Sequence, residues 1–426
     1  MNKKINMKET SQKTRSVQQN MIFNTAGSLI YYACQWLMTI LIVRISGYED
    51  AGVLSIAMSV TAAPAIVGLF NIRSYQVSDL EGQFSDSIYV RSRIVTNILS
   101  FLICIVMIVV GGYSLEKSAV IIIFMLFKVA EGFADVYYGI EQKNERMDYA
   151  GISLTVRGIG TIILFTIVML CTRSLFFSVL AISLFSFIVI LGYDRRIVKR
   201  WKTTVDEKKQ SVIKLLRVCF PLAVVAFLNN LSLNIPKIYL ESYFGSEVMG
   251  FYSSVASPTL VVQLAATTIF APLIPILSLQ FQERNKKGFF GIIKKFAVLV
   301  LGLSVICLIG SKLLARWGLV LLFSESIEPY VYLFVPIIII SILIAINASL
   351  FSICTLIREI KSQYIIGLLG VLSAWLFSVI VVKAYTMMGV VYALAGTLAV
   401  QIIVQLMIIL KRLRNYEWRS DDESQG

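Results

Sequence analysis

Residues Ala119–Ile140 read AVIIIFMLFKVAEGFADVYYGI, an apolar run interrupted by three charged side chains. A run of about 20 mainly apolar residues is long enough to cross a lipid bilayer as a helix. Lys128, Glu131 and Asp135 stand at positions i, i+3 and i+7, so all three lie on one face of that helix. A charge at the centre of a span costs roughly 2.5–3.5 kcal/mol on insertion scales, so such residues usually face the interior of a bundle. The stretch therefore predicts a membrane-spanning helix with a polar inner face.

The rest of the chain has the same apolar character. Hydrophobic residues make up 57% of the 426 residues, and only 15% are charged, whereas soluble domains usually carry about 25% charged residues. The apolar excess must therefore face lipid, where the backbone has to satisfy its hydrogen bonds internally. We predict an all-α polytopic membrane protein with twelve transmembrane helices. The predicted spans are Asn20–Val43, Ala51–Ile72, Ile94–Gly112, Ala119–Ile140, Ala150–Cys171, Leu175–Tyr193, Arg217–Leu240, Met249–Leu277, Ile292–Gly310, Val331–Ser352, Tyr364–Val382 and Gly389–Leu410.

The distribution of basic residues predicts the orientation of these spans. Most of the 39 lysines and arginines lie in alternate connections, and basic loops stay on the cytoplasmic side of a membrane. Both termini are therefore expected in the cytoplasm. The net charge of +14 is then a topology signal, with some attraction to anionic membrane lipids, and we expect no nucleic acid partner.

The residue types argue against an enzyme. The chain has no histidine, and none of its six cysteines forms a C-x-x-C pair, so neither a zinc site nor histidine catalysis is expected. No hydrophilic block is long enough for a soluble catalytic domain. We therefore predict no cofactor and no metal centre.

A repeated turn indicates an internal duplication. Gly47–Ser55 reads GYEDAGVLS and Gly245–Ser253 reads GSEVMGFYS, and both fit the pattern G-x-E-x-x-G-x-x-S. Each turn follows the first span of a predicted six-span half. We predict a six-helix lobe over residues 1–193, a basic cytoplasmic linker over 194–211 and a second six-helix lobe over 212–426. Two pseudo-symmetric bundles around a central cavity suit alternating access.

The chain resembles the oligosaccharide flippases of O-antigen and capsule pathways, in the polysaccharide branch of the multidrug/oligosaccharidyl-lipid/polysaccharide (MOP) exporter superfamily. The resemblance is carried by the short basic N-terminus before Asn20, by the G-x-E-x-x-G turn, and by two segments: NIRSYQVSDLEGQFSDSIYVRSR (Asn71–Arg93) and PKIYLESYFGSEVMGFYSS (Pro236–Ser254).

This resemblance implies a central cavity and a polyprenyl-pyrophosphate-linked oligosaccharide of the undecaprenyl type as cargo. It also implies coupling to H⁺ or Na⁺, a place in the bacterial cytoplasmic membrane, and other glycan-assembly proteins as partners.

Charged residues inside the first lobe are candidate ligands. Lys128 and Arg157 would attract the pyrophosphate, because a guanidinium fork can bind two phosphate oxygens. Glu131 or Asp135 would take up the coupling ion. The alternative is structural, with Lys128–Glu131 and Asp135–Arg157 as ion pairs between neighbouring helices.

Further candidates lie elsewhere. A polar strip for substrate is predicted on the seventh span, where Asn230, Asn234 and Lys237 follow at helical spacing. The alternative is that the asparagines form hydrogen bonds between helices and that Lys237 extends its ammonium to the membrane interface. Arg73, at the inner end of the second span, would contact the headgroup of the cargo at the cavity mouth, or would serve only as one of the positive charges that set the orientation of the spans.

We expect a secondary transporter that flips a lipid-linked oligosaccharide. An ion-coupled multidrug efflux pump of the same superfamily would have the same spans, but typically a more acidic site for cationic drugs. A membrane-embedded glycan polymerase or ligase is a further alternative, which usually needs a large outer loop.

Overall fold

The computed structural model describes residues 17–79, 82–201, 211–260, 262, 270, 273–416 and 418, and the regular structure in these ranges is entirely helical. The helices are α1 Val17–Ser46, α2 Tyr48–Leu69, α3 Ile72–Ser78, α4 Asp86–Gly111, α5 Leu115–Lys143, α6 Met147–Thr172, α7 Leu175–Val189, α8 Arg195–Val198, α9 Val212–Ala256, α10 Leu273–Gln282, α11 Lys286–Phe323, α12 Phe334–Leu356, α13 Ile360–Phe377 and α14 Lys383–Arg414. Two π turns, Ile190–Asp194 and Ser378–Val382, and two 3₁₀ segments, Ser257–Thr259 and Glu325–Leu333, continue them.

The helices confirm the all-α polytopic membrane fold. Nine helical segments among the described residues are long and apolar enough to cross a membrane. Helix α5 is apolar but carries the three charges of the quoted stretch. Two of the nine segments contain a reversal of the backbone, at Gly245 in α9 (φ 82°) and at Thr386 in α14 (φ 50°). If each of these two segments is counted as two spans and α5 is added, the helices are consistent with twelve passages across the bilayer.

Parts of three predicted segments lie outside the described residues. They are residues 1–16 of the N-terminus, 202–210 of the predicted linker, and 261, 263–269 and 271–272 of the predicted eighth span.

The helices before the predicted linker (α1–α8) are here named the first lobe, and those after it (α9–α14) the second lobe. In the first lobe α1 packs along α6, and α2 packs against α4 and α5. In the second lobe α13 packs against α9 and α14, and α12 against α14. The end of the molecule with Gly47 and Gly245 is named the turn end. The opposite end, with Asp194, is the linker end.

The two copies of the repeated turn pack directly against each other at the turn end. A Cβ atom added to Gly52 on α2 would overlap the carbonyl oxygen of Ser246, and one added to Gly250 on α9 would overlap that of Tyr48. The hydroxyl of Ser55 donates to that of Ser253 at 2.6 Å. Equivalent residues of the two repeats thus contact each other, as expected for a two-fold related crossing. The absence of side chains at both glycines is what allows the backbones to meet.

Other bonds between the lobes close the same end. The Lys117 ammonium lies 2.5 Å from the carboxylate of Glu241, and Arg44 Nε donates to the Leu322 carbonyl at 2.9 Å. Deeper in the bundle, Trp36 Nε1 donates to the Ser257 hydroxyl at 3.2 Å. These bonds join the lobes at and below the repeated turns, so the turn end is sealed.

The close approach of α2 and α9 at Gly52 and Gly250, here named the glycine crossing, predicts which glycines tolerate a methyl group. Gly52→Ala and Gly250→Ala should each lower stability by about 1–3 kcal/mol, because the added methyl group forces the two backbones apart. Gly310→Ala is the matched control, since a Cβ at Gly310 on α11 meets no atom within 4 Å. Thermal melting of the detergent-purified protein measures the difference. Equal melting temperatures for all three variants would contradict the crossing.

Candidate functional site

Asp135 on α5 lies between two arginines from other helices. Its carboxylate is 2.7 Å from Arg93 Nη2 and 3.4 Å from Arg73 Nη1. Arg93 on α4 is 0% exposed and also donates to the Gly68 carbonyl at 2.6 Å. The alternative in which Asp135 pairs with Arg157 is therefore wrong, because α4 and α3 bring their arginines to this face of α5 instead.

Arg73 reaches this position through a sharp break between α2 and α3. Phe70 (φ 48°) and Asn71 (φ 53°) both adopt left-handed backbone conformations, which are costly for residues with a side chain. The break turns α3 so that Arg73 Nη2 donates to Gln142 Oε1 at 3.1 Å. Arg73 and Asp135 line a cavity of about 350 Å³ at the linker end. Arg73 thus stands at a solvent-connected mouth.

Lys128 and Glu131 form the ion pair expected from their spacing. Lys128 Nζ lies 2.7 Å from Glu131 Oε2, and each side chain is about one-quarter exposed. The Tyr31 hydroxyl donates to the other oxygen of Glu131. Lys128 also lies over the rings of Phe124 and Phe127 at 5.4 and 5.6 Å. Both charged groups remain accessible while they are paired.

Arg157 lies behind this pair and is only 2% exposed. Its Nη1 donates to the Tyr138 hydroxyl at 3.4 Å, and its guanidinium lies over the Tyr31 ring at 5.3 Å. Its Nε and Nη2 atoms have no hydrogen-bond partner among the described residues. In this conformation Arg157 acts on Glu131 through the field of its charge, without reaching a cavity itself.

Lys237 on α9 lines a cavity between the two lobes. The cavity holds about 180 Å³ and lies just inside the crossing of the repeated turns. None of the described residues forms an ion pair or hydrogen bond with the Lys237 ammonium, and the side chain is partly buried. The serines and threonines that line the cavity are Thr39, Ser55, Ser59, Ser253, Ser254 and Ser257. The site combines one free cation with several hydrogen-bonding hydroxyls.

The two asparagines of the same helix are bonded to each other. Asn234 Nδ2 donates to the carbonyl of Asn230 at 2.9 Å and to its side-chain oxygen at 3.1 Å. The structure thus brings Lys128 and Glu131 together, and Arg73 and Asp135 together. Lys237 stands apart on the second lobe.

Arg93 is the site residue that the sequence analysis missed. It was assigned to a basic loop, since it follows Arg91 in VRSR. A signal was present, because Arg93, Thr96, Asn97 and Ser100 recur at i, i+3, i+4 and i+7, and all four are buried on one face of α4. Such spacing marks a polar inner face of a helix.

Comparison with known proteins identifies the family. Residues 17–281 match the family described as polysaccharide biosynthesis protein. This chain belongs to that family. Among curated relatives, the family member is 26% identical over 380 residues to the capsular polysaccharide biosynthesis protein CapF of Staphylococcus aureus, with 87% of this chain and 93% of CapF covered.

Solved structures show that this family member has the fold of MOP superfamily transporters. The lipid II flippase MurJ in an inward closed conformation aligns with a TM-score of 0.70 at 13% identity, covering 92% of this chain and 89% of MurJ. An inward-facing multidrug resistance MATE transporter aligns with a TM-score of 0.69 at 12% identity, covering 95% of this chain and all of the transporter. The resemblance found in the sequence is therefore confirmed.

Asp79 ends α3 outside the spans and fixes the loop that follows. Its carboxylate accepts hydrogen bonds from the backbone N–H groups of Gln83 and Phe84 at 2.8 and 3.1 Å and from the Tyr89 hydroxyl at 2.8 Å. Burial raises the pKa of Asp79, but these bonds and the nearby Lys143 ammonium outweigh it and hold that pKa below its usual value. The ionised form of Asp79 is therefore the form that stabilises the family member's α3–α4 connection.

This pKa direction predicts how stability depends on pH. A carboxyl whose pKa is lower in the folded state adds stability above its unfolded-state pKa and loses it as the pH falls through the folded-state pKa. Asp79→Asn should therefore lower the melting temperature at neutral pH, and the difference from wild type should shrink in acid. The exposed Glu49→Gln is the control. A difference that does not change with pH would contradict the assignment.

The buried ion pair predicts a large effect at Asp135. Asp135→Ala leaves the fully buried Arg93 without its partner, which should cost about 3–5 kcal/mol. The control is Glu328→Ala, which removes an ion pair with Arg316 whose side chain is 77% exposed and should cost less than about 1 kcal/mol. Unfolding in mixed detergent measures both. Similar losses for the two variants would show that Arg93 is not held by Asp135.

Proposed function

We propose that this family member flips a polyprenyl-pyrophosphate-linked oligosaccharide, of the undecaprenyl type, across the bacterial cytoplasmic membrane by alternating access of its two lobes. The observation that carries the proposal is Lys237, an ammonium with no counter-ion among the described residues, in a cavity between the lobes that is lined by serine and threonine hydroxyls together with apolar side chains. A buried cation is costly unless it is paired, so the cavity favours an anionic ligand.

The lining of the cavity fits both parts of such a cargo. A pyrophosphate would pair with Lys237, since charge-assisted hydrogen bonds are about twice as strong as neutral ones. The serine and threonine hydroxyls around it both donate and accept hydrogen bonds, as the hydroxyls of a sugar require. The relation to CapF, a capsular polysaccharide biosynthesis protein, supports a glycan as the cargo.

Two further cations outline a path for the phosphates from the linker end. Arg73 stands at the mouth of the cavity there, and Lys128 is partly exposed in the first lobe. Each is paired with a carboxylate, so an arriving phosphate would exchange with Asp135 or Glu131. In this proposal the phosphates would meet Arg73 first, then Lys128 and then Lys237.

The direction of opening follows from the charge distribution. The basic connections lie at the linker end, which the positive-inside rule places in the cytoplasm together with both termini. The sealed turn end then faces outward. The conformation is accordingly one that loads cargo from the cytoplasmic side, and the glycine crossing must part to release it.

Multidrug efflux is the second candidate, because MATE transporters share the fold. The interlobe cavity favours the first proposal over it. None of the described residues that line this cavity is acidic, and Lys237 is cationic. An organic cation would be repelled at the position where an anion is attracted.

Removal of the free cation tests the proposal. Lys237→Gln should reduce glycan export about tenfold or more, the effect of losing about 1.4 kcal/mol or more of binding, while Lys237→Arg should retain most of it. The control Lys383→Gln changes an exposed lysine at the turn end. Complementation of a strain that lacks its glycan flippase, with membrane abundance checked, gives the readout. Wild-type export by Lys237→Gln at normal abundance would overturn the proposal.

A further inference from the structure

Three carboxylates from separate elements are buried in the interior of the first lobe at the linker end. Glu141 lies in the last turn of α5, Asp148 in the first turn of α6, and Asp194 at the end of the π turn Ile190–Asp194. Glu141 and Asp194 are both 0% exposed, and Asp148 is 2% exposed. π turns are rare and frequently occur at functional sites. Here the π turn carries Asp194 into the protein interior.

Only one of the three carboxylates has a cation bonded to it. Asp148 lies 2.9 Å from Arg146 Nε. Asp194 Oδ2 accepts a hydrogen bond from the Ser153 hydroxyl at 3.0 Å, while its Oδ1 has no partner among the described residues. Both oxygens of Glu141 are buried without any partner in the same part of the chain. An isolated buried carboxylate is so costly that such a group binds a proton instead.

Two of the arginines near Glu141 and Asp194 are already bonded to other carboxylates. The cations that face them are Arg73 on α3, Arg146 before α6 and Arg157 on α6, and the other titratable groups are Asp148, Tyr149 and Tyr193. Arg195 on α8 is also near, since it and Asp194 both lie close to Tyr137. Arg73 is bonded to Asp135, and Arg146 to Asp148. Arg157 and Arg195 are the cations in this group with no ion pair described above, and Arg157 faces two carboxylates, Asp194 and Glu131.

A continuous polar chain links this site to the cavity residues. From Asp194 it runs through the Ser153 hydroxyl, which lies 2.9 Å from the Tyr138 hydroxyl, to Arg157 Nη1 at 3.4 Å. Arg157 lies over Tyr31, whose hydroxyl bonds to Glu131, the partner of Lys128. A change in the charge of Asp194 would thus change the electrostatic potential at the partly exposed Lys128–Glu131 pair.

We propose that Glu141 and Asp194 share one exchangeable proton, and that this proton is the coupling ion of the transporter. The proposal rests on the proposed function for its role in transport, but the proton site itself stands on the buried geometry. No group of three or more acidic or cysteine side chains in the described residues is arranged to hold a metal ion. Glu131 and Asp135, the carboxylates expected to carry the ion, both have cations bonded to them.

The proton would act by redistributing the charge of Arg157. With both acids ionised, Arg157 is held toward Asp194, and Glu131 depends on Lys128 for neutralisation. When the pair takes one proton from water, Arg157 is released toward Glu131, and Lys128 becomes available to a phosphate. Return of the proton to water reverses the change. Arg157 keeps its own proton throughout.

Infrared difference spectroscopy of the full-length protein in nanodiscs, without cargo, tests the proton site. As the pH is stepped from about 5 to about 10, a range that brackets buried carboxyl groups, the carbonyl-stretch band of a protonated carboxylic acid should be lost. Glu141→Gln and Asp194→Asn should each remove this titrating band. Glu116→Gln, an exposed acid in the first turn of the same helix, should leave it unchanged.

The outcomes separate this proposal from the proposed function. A wild-type protein with no titrating band, or a band that persists in both variants, overturns the proton site and leaves the cargo assignment standing. If either variant fails to fold, Ser153→Ala is the test. Loss of the Ser153 hydrogen bond to Asp194 should shift the band. An unshifted band would overturn the proposal. Normal export by Lys237→Gln would instead refute the cargo assignment without touching the band.

Discussion

The backbone contact between Gly52 on α2 and Gly250 on α9 is the constraint on which the arrangement of the two lobes depends. Lipid supplies no hydrophobic drive between helices, so close packing of small residues has to hold them together. The contact joins equivalent positions of a duplicated turn, and the hydroxyls of Ser55 and Ser253 bond across it. Such a self-complementary crossing is compact when formed and leaves two similar, small-residue surfaces when parted. That property suits a joint which must close and open.

The two lobes share a fold but have different interiors. The first lobe is held by ionic groups, with Asp135 serving two arginines and Lys128 serving Glu131. The second lobe has a network of neutral amides instead, in which Asn347 bonds to Gln401 at 3.1 Å and Gln405 bonds to Asn347 at 2.7 Å. Among the described residues, these neutral amides give Lys237 no counter-charge. In our two proposals, the proton site therefore lies in the first lobe and the cation for cargo in the second.

The sequence predicted the parts of this structure that depend on local pattern. The helical character of the spans, the repeated turn and the Lys128–Glu131 pair all follow from patterns along the chain. The described residues contain nine helical segments long enough to cross a membrane, both copies of the turn and the ion pair. The partner of Asp135 did not follow, because it depends on how α3 and α4 rotate against α5. Asp194 was placed at the start of a linker, since the sequence YDRR gives no sign that a π turn will draw its carboxylate inward. The role of the repeated turn as the contact between lobes also required the tertiary fold, because sequence shows that two segments are alike but not that they touch.

Disulfide cross-linking of Ser55→Cys with Ser253→Cys, in a background without the six native cysteines, tests the central claim most directly. The two hydroxyl oxygens lie 2.6 Å apart, close enough for the substituted thiols to be bridged with little movement. If the lobes must part at the turn end to release cargo, oxidation should abolish glycan export, and reduction should restore it. Undiminished export from fully cross-linked protein would show that the crossing never opens, and transport by alternation of the two lobes would be contradicted.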